Sequence, residues 1–211
     1  MIPRLHPPEA RLLDHVVGAG DLAARALVEC HLALCATCAA RVLDLGRAGG
    51  SFLAQQAPLP VPPDLFARIL DRIDQEPAPV ALVPPLVPFR AALAPFLPPD
   101  LSRGWRGALA PGFRFLELAA ELPRGVRLYL IHMAAGMPFP EHRHLGLEEA
   151  VILAGGLADE TGGFEAGDWD AKEEGTHHTP RALEDEDCWL VARMEGEIRF
   201  TGWRGLLQRL A

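Results

Sequence analysis

The chain has 211 residues, 49% of them hydrophobic and 23% charged, a balance ordinary for a folded globular protein. Acidic residues outnumber basic ones, 28 to 20, for a formal net charge of -8; contact with phosphates needs clustered Lys and Arg, so a direct nucleic-acid-binding surface is excluded. No apolar run is long enough to span a bilayer and the first residues lack the basic-then-apolar pattern of a secretion signal, so the cytoplasm is the expected compartment, with no membrane partner.

Residues 9–17 place Leu12, Leu13, Val16 and Val17 on a helical stripe that Gly18 and Gly20 stop. Asp21 is an N-cap for a second helix running through Ala23, Ala26 and Leu27 to Cys30. Apolar spacing resumes through Leu34, Val42, Leu43 and Leu45, and Gly49 with Gly50 is expected to end it. A fourth helix is expected after Asp64, with Leu65, Phe66, Ile69, Leu70 and Ile73 on one face. Residues 77–99 are dense in proline, from Pro77 and Pro79 to Pro98 and Pro99, and read as a semi-extended linker.

Beyond the linker come short strand-like runs at residues 113–118, 126–133, 149–153, 188–192 and 198–203, separated by turns containing Gly and Pro. Strands of this length and spacing point to a β-barrel or sandwich of jelly-roll type. The expected fold class is α + β in two domains: a helical bundle over residues 1–76, the proline-rich linker over 77–99, and a β-barrel over 100–211. The acidic run at residues 184–187 reads as a solvated loop.

Two sets of metal-ligand residues stand out, one in each half. The first is His31-x3-Cys35-x2-Cys38. On one helix these residues fall at i, i+4 and i+7 and share a face, so they can hold a zinc ion from one side while a fourth ligand comes from elsewhere. His6, ahead of the first helix, is the choice for that ligand and His15 the reserve; thiols in a chain with no export signal stay reduced, which favours ligation over disulfides. Cys30 points about 100° away from His31 and reads as core. This segment resembles the zinc-binding anti-sigma domain, an N-terminal His followed by His-x3-Cys-x2-Cys, matched here by His6, His31, Cys35 and Cys38. The resemblance implies a helical bundle that wraps an extracytoplasmic-function sigma factor and occludes the surfaces it needs for core RNA polymerase.

The second set begins at His142 and His144, two apart and therefore on one face of a strand, with Glu148 returning after a bend at Gly146. A neighbouring strand at residues 174–180 offers His177 and His178, of which alternation lets only one point inward. Three imidazoles and a carboxylate suit Zn, Mn, Fe or Ni. The string Gly136-x5-His142-x-His144-x3-Glu148-x6-Gly155 resembles the first cupin motif. Gly167-Asp168 with Gly175-x2-His178 resembles the second, although Glu173 stands where a proline is usual and the trailing asparagine is missing. Matching that spacing assigns His178 as the fourth ligand and leaves His177 outside. Cys188 reads as a small core residue.

A zinc-binding anti-sigma domain followed by a cupin resembles the ChrR-type anti-sigma factors over nearly the whole chain. The resemblance implies release of the sigma factor under oxidative stress of the singlet-oxygen type, with the cupin as sensor. The rival is a cupin dioxygenase or isomerase with a helical appendage; against it, no Tyr or Arg cluster proposes a substrate, and Tyr129 is the single tyrosine. A third reading is a metal-stabilised scaffold that merely oligomerises; beside the sigma factor, a second copy of the chain, joined as a homodimer through the cupin segment, is the other candidate partner.

Overall fold

The computed structural model describes residues 2–74, 82–107, 111–118 and 121–201. Helix α1 (Glu9–Val17) ends at Gly18 in the left-handed conformation, φ 69°. Asp21 caps α2 (Leu22–Leu32) by accepting the Ala24 N–H at 2.8 Å. The expected helix through residues 31–38 is not continuous. It breaks at Ala33 and restarts as α3 (Ala36–Leu53), with Cys35 as its N-cap and the Cys35 sulfur accepting the Cys38 N–H. Helix α3 also runs through Gly49 and Gly50 instead of stopping there: each glycine costs about 1 kcal/mol relative to Ala in a helix but does not remove a backbone bond. Helix α4 (Leu65–Asp74) follows Asp64, whose carbonyl accepts the Arg68 N–H.

The semi-extended linker expected over residues 77–99 is corrected wherever that segment is described; residues 75–81 lie outside the described residues. Pro84–Phe89 form a 3-10 helix that continues into α5 (Arg90–Leu93). Pro84 and Pro85 sit in its first turn, where a missing N–H is harmless, and Leu86, Phe89, Leu93 and Phe96 are buried.

Beyond α5 the described chain is strands joined by turns and loops. The strands are β1 (Arg106–Gly107), β2 (Phe113–Glu117), β3 (Val126–Met133), β4 (His142–His144), β5 (Glu148–Ala154) and β6 (Gly156–Asp159). They continue with β7 (Gly162–Glu165), β8 (Trp169–Lys172), β9 (His177–His178), β10 (Arg181–Ala182), β11 (Cys188–Glu195) and β12 (Ile198–Phe200). The run expected to reach residue 203 is followed only to Phe200, since residues 202–211 lie outside the described residues. Three antiparallel sheets form, ordered β1-β2-β3-β11-β5-β8, β10-β6-β7 and β12-β4-β9. They enclose a cavity of about 520 Å³ lined from all three sheets by residues such as Phe113, Ile131, Phe139, Ile152, Leu157 and Phe200. This is a jelly-roll-type barrel whose ladder does not close among the described residues.

Strands β5 and β11 at the centre of the six-stranded sheet are buried on both faces, which explains their unbroken apolar runs. Ala150, Ile152, Leu190 and Ala192 face the cavity side. Leu128, Leu130, Val151, Leu153 and Val191 face the other way, in one core with Leu27, Val28, Leu86, Phe89 and Leu93. The helices and the barrel therefore share a core. Ion pairs reinforce the seam: Arg11 of α1 grips Glu149 of β5 through two bonds of 2.8 Å. Arg193 of β11 donates to the α2 cap Asp21 at 2.6 Å and lies 3.5 Å from Glu149. Truncating a buried aromatic removes its burial energy and leaves a cavity, so Phe89→Ala is expected to cost about 3–5 kcal/mol. A fall in the urea midpoint with an unchanged slope is the signature to look for.

Candidate metal centres

Two groups of donors converge among the described residues, one of nitrogen and sulfur and one of nitrogen alone. In the first centre, the donor atoms of His6, His31, Cys35 and Cys38 all lie within 4.8 Å of one another. The helix break produces this arrangement: His31 stands in the last turn of α2, Cys35 at the cap of α3 and Cys38 in its first turn. His6 arrives from the segment before α1, its Nδ1 3.5 Å from the Cys35 sulfur and 3.4 Å from the Cys38 sulfur. A tetrahedral ion with Zn–S bonds of ~2.3 Å and Zn–N bonds of ~2.1 Å separates nitrogen from sulfur by about 3.6 Å. The donors fit that ion. His15 stays outside, beside Val16 and Val42, with a buried Nδ1.

The protonation states agree with ligation. His31 gives its Nδ1–H to the Gly167 carbonyl at 2.7 Å, and its Nε2 is buried with no protein partner. A buried nitrogen lone pair without a donor is costly unless a cation meets it. Burial holds the His31 pKa below the ordinary histidine value. Burial, with the neighbouring Cys35, pushes the Cys38 thiol up to about 12, so Cys38 becomes a thiolate only with a cation beside it. Cys30 is fully buried away from this group, and burial raises its thiol pKa well beyond the usual range; it is core, as is Cys188.

In the second centre, register brings three histidines together. His142 of β4 pairs with His178 of β9, and Arg143 with the exposed His177, so His178 points inward and His177 outward. The His178 Nε2 lies 3.0 Å from the Nε2 of both His142 and His144. Pro140 O accepts from the His142 Nδ1–H at 2.9 Å and Asp159 from the His178 Nδ1–H at 2.8 Å, which leaves those Nε2 atoms as acceptors. Converging lone pairs repel, and a divalent cation resolves the conflict. Burial holds the pKa of His142 down to about 4 and that of His144 down to about 3, with the neighbouring imidazoles adding to both shifts.

Glu148 does not join the three nitrogens. Its carboxylate lies 3.4 Å from Nδ1 of His144, on the far side of the ring from the converging Nε2 atoms. Burial and the nearby Asp170 push its pKa up to about 8, against Lys172, which lowers it. The bend at Gly146 forms as expected: a Cβ there would collide with the Glu195 carbonyl. The missing proline at position 173 does not prevent the loop before β9, because Thr176 N–H bonds to the Glu173 carbonyl and Gly175 N–H to the His144 carbonyl.

Asp159 carries no signal in the sequence, yet it orients His178. Despite burial, which raises its pKa, bonds from Thr161, His178 and Lys172 hold its carboxylate well below the usual range. Gly167, Asp168 and Trp169 are likewise joined to the first centre across long sequence separations that no local pattern reveals.

Residues 102–196 match a family model described as the ChrR cupin-like domain. The chain is 32% identical over 209 residues to the anti-sigma-E factor ChrR of Cereibacter sphaeroides, covering 96% of this chain and 95% of that protein. The crystal structure of Rhodobacter sphaeroides SigE in complex with the anti-sigma ChrR is similar to it with a TM-score of 0.69 and 29% identity, covering 91% of this chain and 99% of that one. No described helix is long and apolar enough to cross a membrane.

The two centres are distinguishable by their donors. Cobalt bound to the full chain is expected to show thiolate-to-cobalt charge-transfer absorption that Cys35→Ser with Cys38→Ser abolishes and His142→Ala with His178→Ala leaves in place, each pair removing about half of the bound metal in elemental analysis. Acid has a definite direction too. The folded pKa of His142 and His144 lies below the unfolded value of 6.5, so their neutral forms favour folding above pH 6.5 and that contribution is lost as pH falls through about 4 for His142 and about 3 for His144. The metal-free chain is expected to show a urea midpoint that declines across that window.

Proposed function

This chain belongs to the ChrR family of anti-sigma factors, and on that membership we propose that it holds an extracytoplasmic-function sigma factor away from core RNA polymerase in the cytoplasm and releases it under oxidative stress. The observation that carries this reading is the group His6, His31, Cys35 and Cys38, built into the helical part of a chain that matches an anti-sigma factor over 96% of its length. Zinc is the ion its two thiolates and two imidazoles favour, and when bound it supplies a rigid tetrahedral tie. The chain's own residues decide what that tie joins: the segment before α1, the end of α2 and the start of α3. Thiolates are the oxidisable ligands, so modification of Cys35 or Cys38 loosens the helices that the partner rests on.

The surface for the partner is supported by what the helices leave uncovered. Phe52 and Leu53 at the end of α3, and Phe66, Ile69 and Ile73 on α4, are exposed. Large apolar side chains left exposed on two consecutive helices are unusual on a monomer without a partner. The cupin cavity, apolar on most sides with His142, His178 and Glu148 among its lining, is the sensor in this reading. Its ion is Zn, Mn, Fe or Ni, and a small molecule entering the cavity is the second route by which stress reaches the helices.

Transcription by core polymerase and an extracytoplasmic-function sigma factor is the direct test: the zinc-loaded chain is expected to suppress it, and a thiol oxidant or a chelator to restore it. A zinc-loaded chain that binds no such factor contradicts the proposal. Buried anchors at an interface are worth about 2 kcal/mol or more, a loss of roughly 30-fold in affinity. Phe52→Glu and Phe66→Glu are each expected to weaken sigma binding by that order in titration calorimetry with the melting temperature unchanged.

A further inference from the structure

The N-terminal metal centre is not built from the N-terminal helices alone. Three consecutive residues of the cupin unit reach it, in the turn that leads into β8. The Gly167 carbonyl accepts the Nδ1–H of His31 at 2.7 Å. The Asp168 carboxylate accepts the backbone N–H of Arg4 at 2.6 Å and of Leu5 at 3.0 Å, the two residues ahead of His6, and also that of Glu165 at 3.0 Å. The Trp169 N–H donates to the Leu5 carbonyl at 3.1 Å, and its ring meets His31 edge-on at 6.4 Å.

We infer that residues 167–169 of the cupin unit are positioning residues of the N-terminal metal centre, fixing His31 through the Gly167 carbonyl and His6 through Asp168 and Trp169. The physical reasons are separate for the two ligands. A carbonyl on Nδ1 fixes the imidazole tautomer, so the lone pair of His31 is on Nε2, and it fixes the ring plane as well. His6 lies on a segment with no secondary structure of its own before α1, and such a segment is ordered only where it is tied down. Asp168, 1% exposed, ties it with two charge-assisted bonds. The approach is close enough to demand glycine at 167: its φ is +92° and a Cβ there would collide with the Pro3 ring.

The same strand serves the other centre. Three residues beyond Trp169, Lys172 of β8 contacts Asp159 at 3.0 Å, and Asp159 holds the Nδ1–H of His178. Strand β8 and its leading turn thus carry outer support for both centres, and displacement of β8 by events in the cavity would reach His6 and His31 directly.

The inference rests on the reading that the four-donor group holds a metal ion, and cobalt spectroscopy separates the two, because thiolates are present only in the N-terminal centre. Full-length chain loaded with cobalt is titrated with a chelator while the thiolate charge-transfer absorption is followed, in the parent and in Asp168→Ala, Asp168→Asn and Leu5→Pro. Loss of outer support weakens metal affinity by about 10–100-fold. That loss is expected in Asp168→Ala and in Leu5→Pro, which removes one donor without touching the cupin unit. Asp168→Asn, which keeps one acceptor oxygen, is expected to lose less. The ligand-field absorption of cobalt in the cupin centre should not change in Leu5→Pro. Parent-like affinity in Leu5→Pro, or in an Asp168→Ala chain that melts like the parent, overturns the inference. Absence of thiolate absorption in the parent overturns both it and the reading beneath it.

Discussion

The outer face of the six-stranded sheet has to be kept from water, and the rest of the molecule is arranged around that need. Leu128, Leu130, Val151, Leu153 and Val191 present a continuous apolar surface on the side away from the cavity. Burying a side chain of this kind contributes about 1.5–3 kcal/mol, so leaving five of them exposed would cost about as much as the whole net stability of a folded domain. Helix α2 and the Pro84–Phe89 segment with α5 cover them. Once α2 lies on the sheet, its last turn sets His31 against the turn at residues 167–169, and its cap Asp21 meets Arg193. The first metal centre is therefore assembled at a seam between helices and barrel, not inside an autonomous bundle.

Both centres follow one rule of construction. Each histidine whose far nitrogen is tied down shows the metal a lone pair of fixed direction: His31 by Gly167, His142 by Pro140 and His178 by Asp159. Burial keeps those of the imidazoles it shifts neutral near pH 7, the form that binds a cation. The difference lies in the remaining donors. Two thiolates make the first centre soft and open to oxidants, while the second contains only nitrogen, opens on an apolar cavity and keeps Glu148 one ring away. A centre that can be oxidised beside one that can receive a small molecule is a physical basis for a regulator with more than one input.

Much of this was legible in the sequence where the signal is local. The spacing of His31, Cys35 and Cys38 announces a metal centre even though the geometry behind it is a helix break and not a single helix; both arrangements bring i, i+4 and i+7 together. Alternation required that only one of His177 and His178 face inward, and the Gly175-x2-His178 spacing of the cupin resemblance picked His178, the one the register places inside. The strands β3, β5 and β11 were visible as apolar runs, whereas β6, β7, β8 and β10, two to four residues each and rich in Gly and charge, were not. The proline-dense segment misled because proline suits an extended chain and a first helical turn equally well. The spacing of Leu86, Phe89, Leu93 and Phe96 was the helical signal beneath it. Asp159, Asp168 and Trp169 act across separations that no window of sequence spans, and only the fold reveals them.

The central claim is that helices and cupin share one core with a metal centre at their junction, so that loading the first centre stabilises the whole chain. Differential scanning calorimetry of the full-length protein, zinc-loaded, tests this most directly. One cooperative transition, with calorimetric and van't Hoff enthalpies equal, is the predicted result. Two resolved transitions, one following the helical part and one the barrel, with zinc at the thiolate centre shifting only the first, would contradict it.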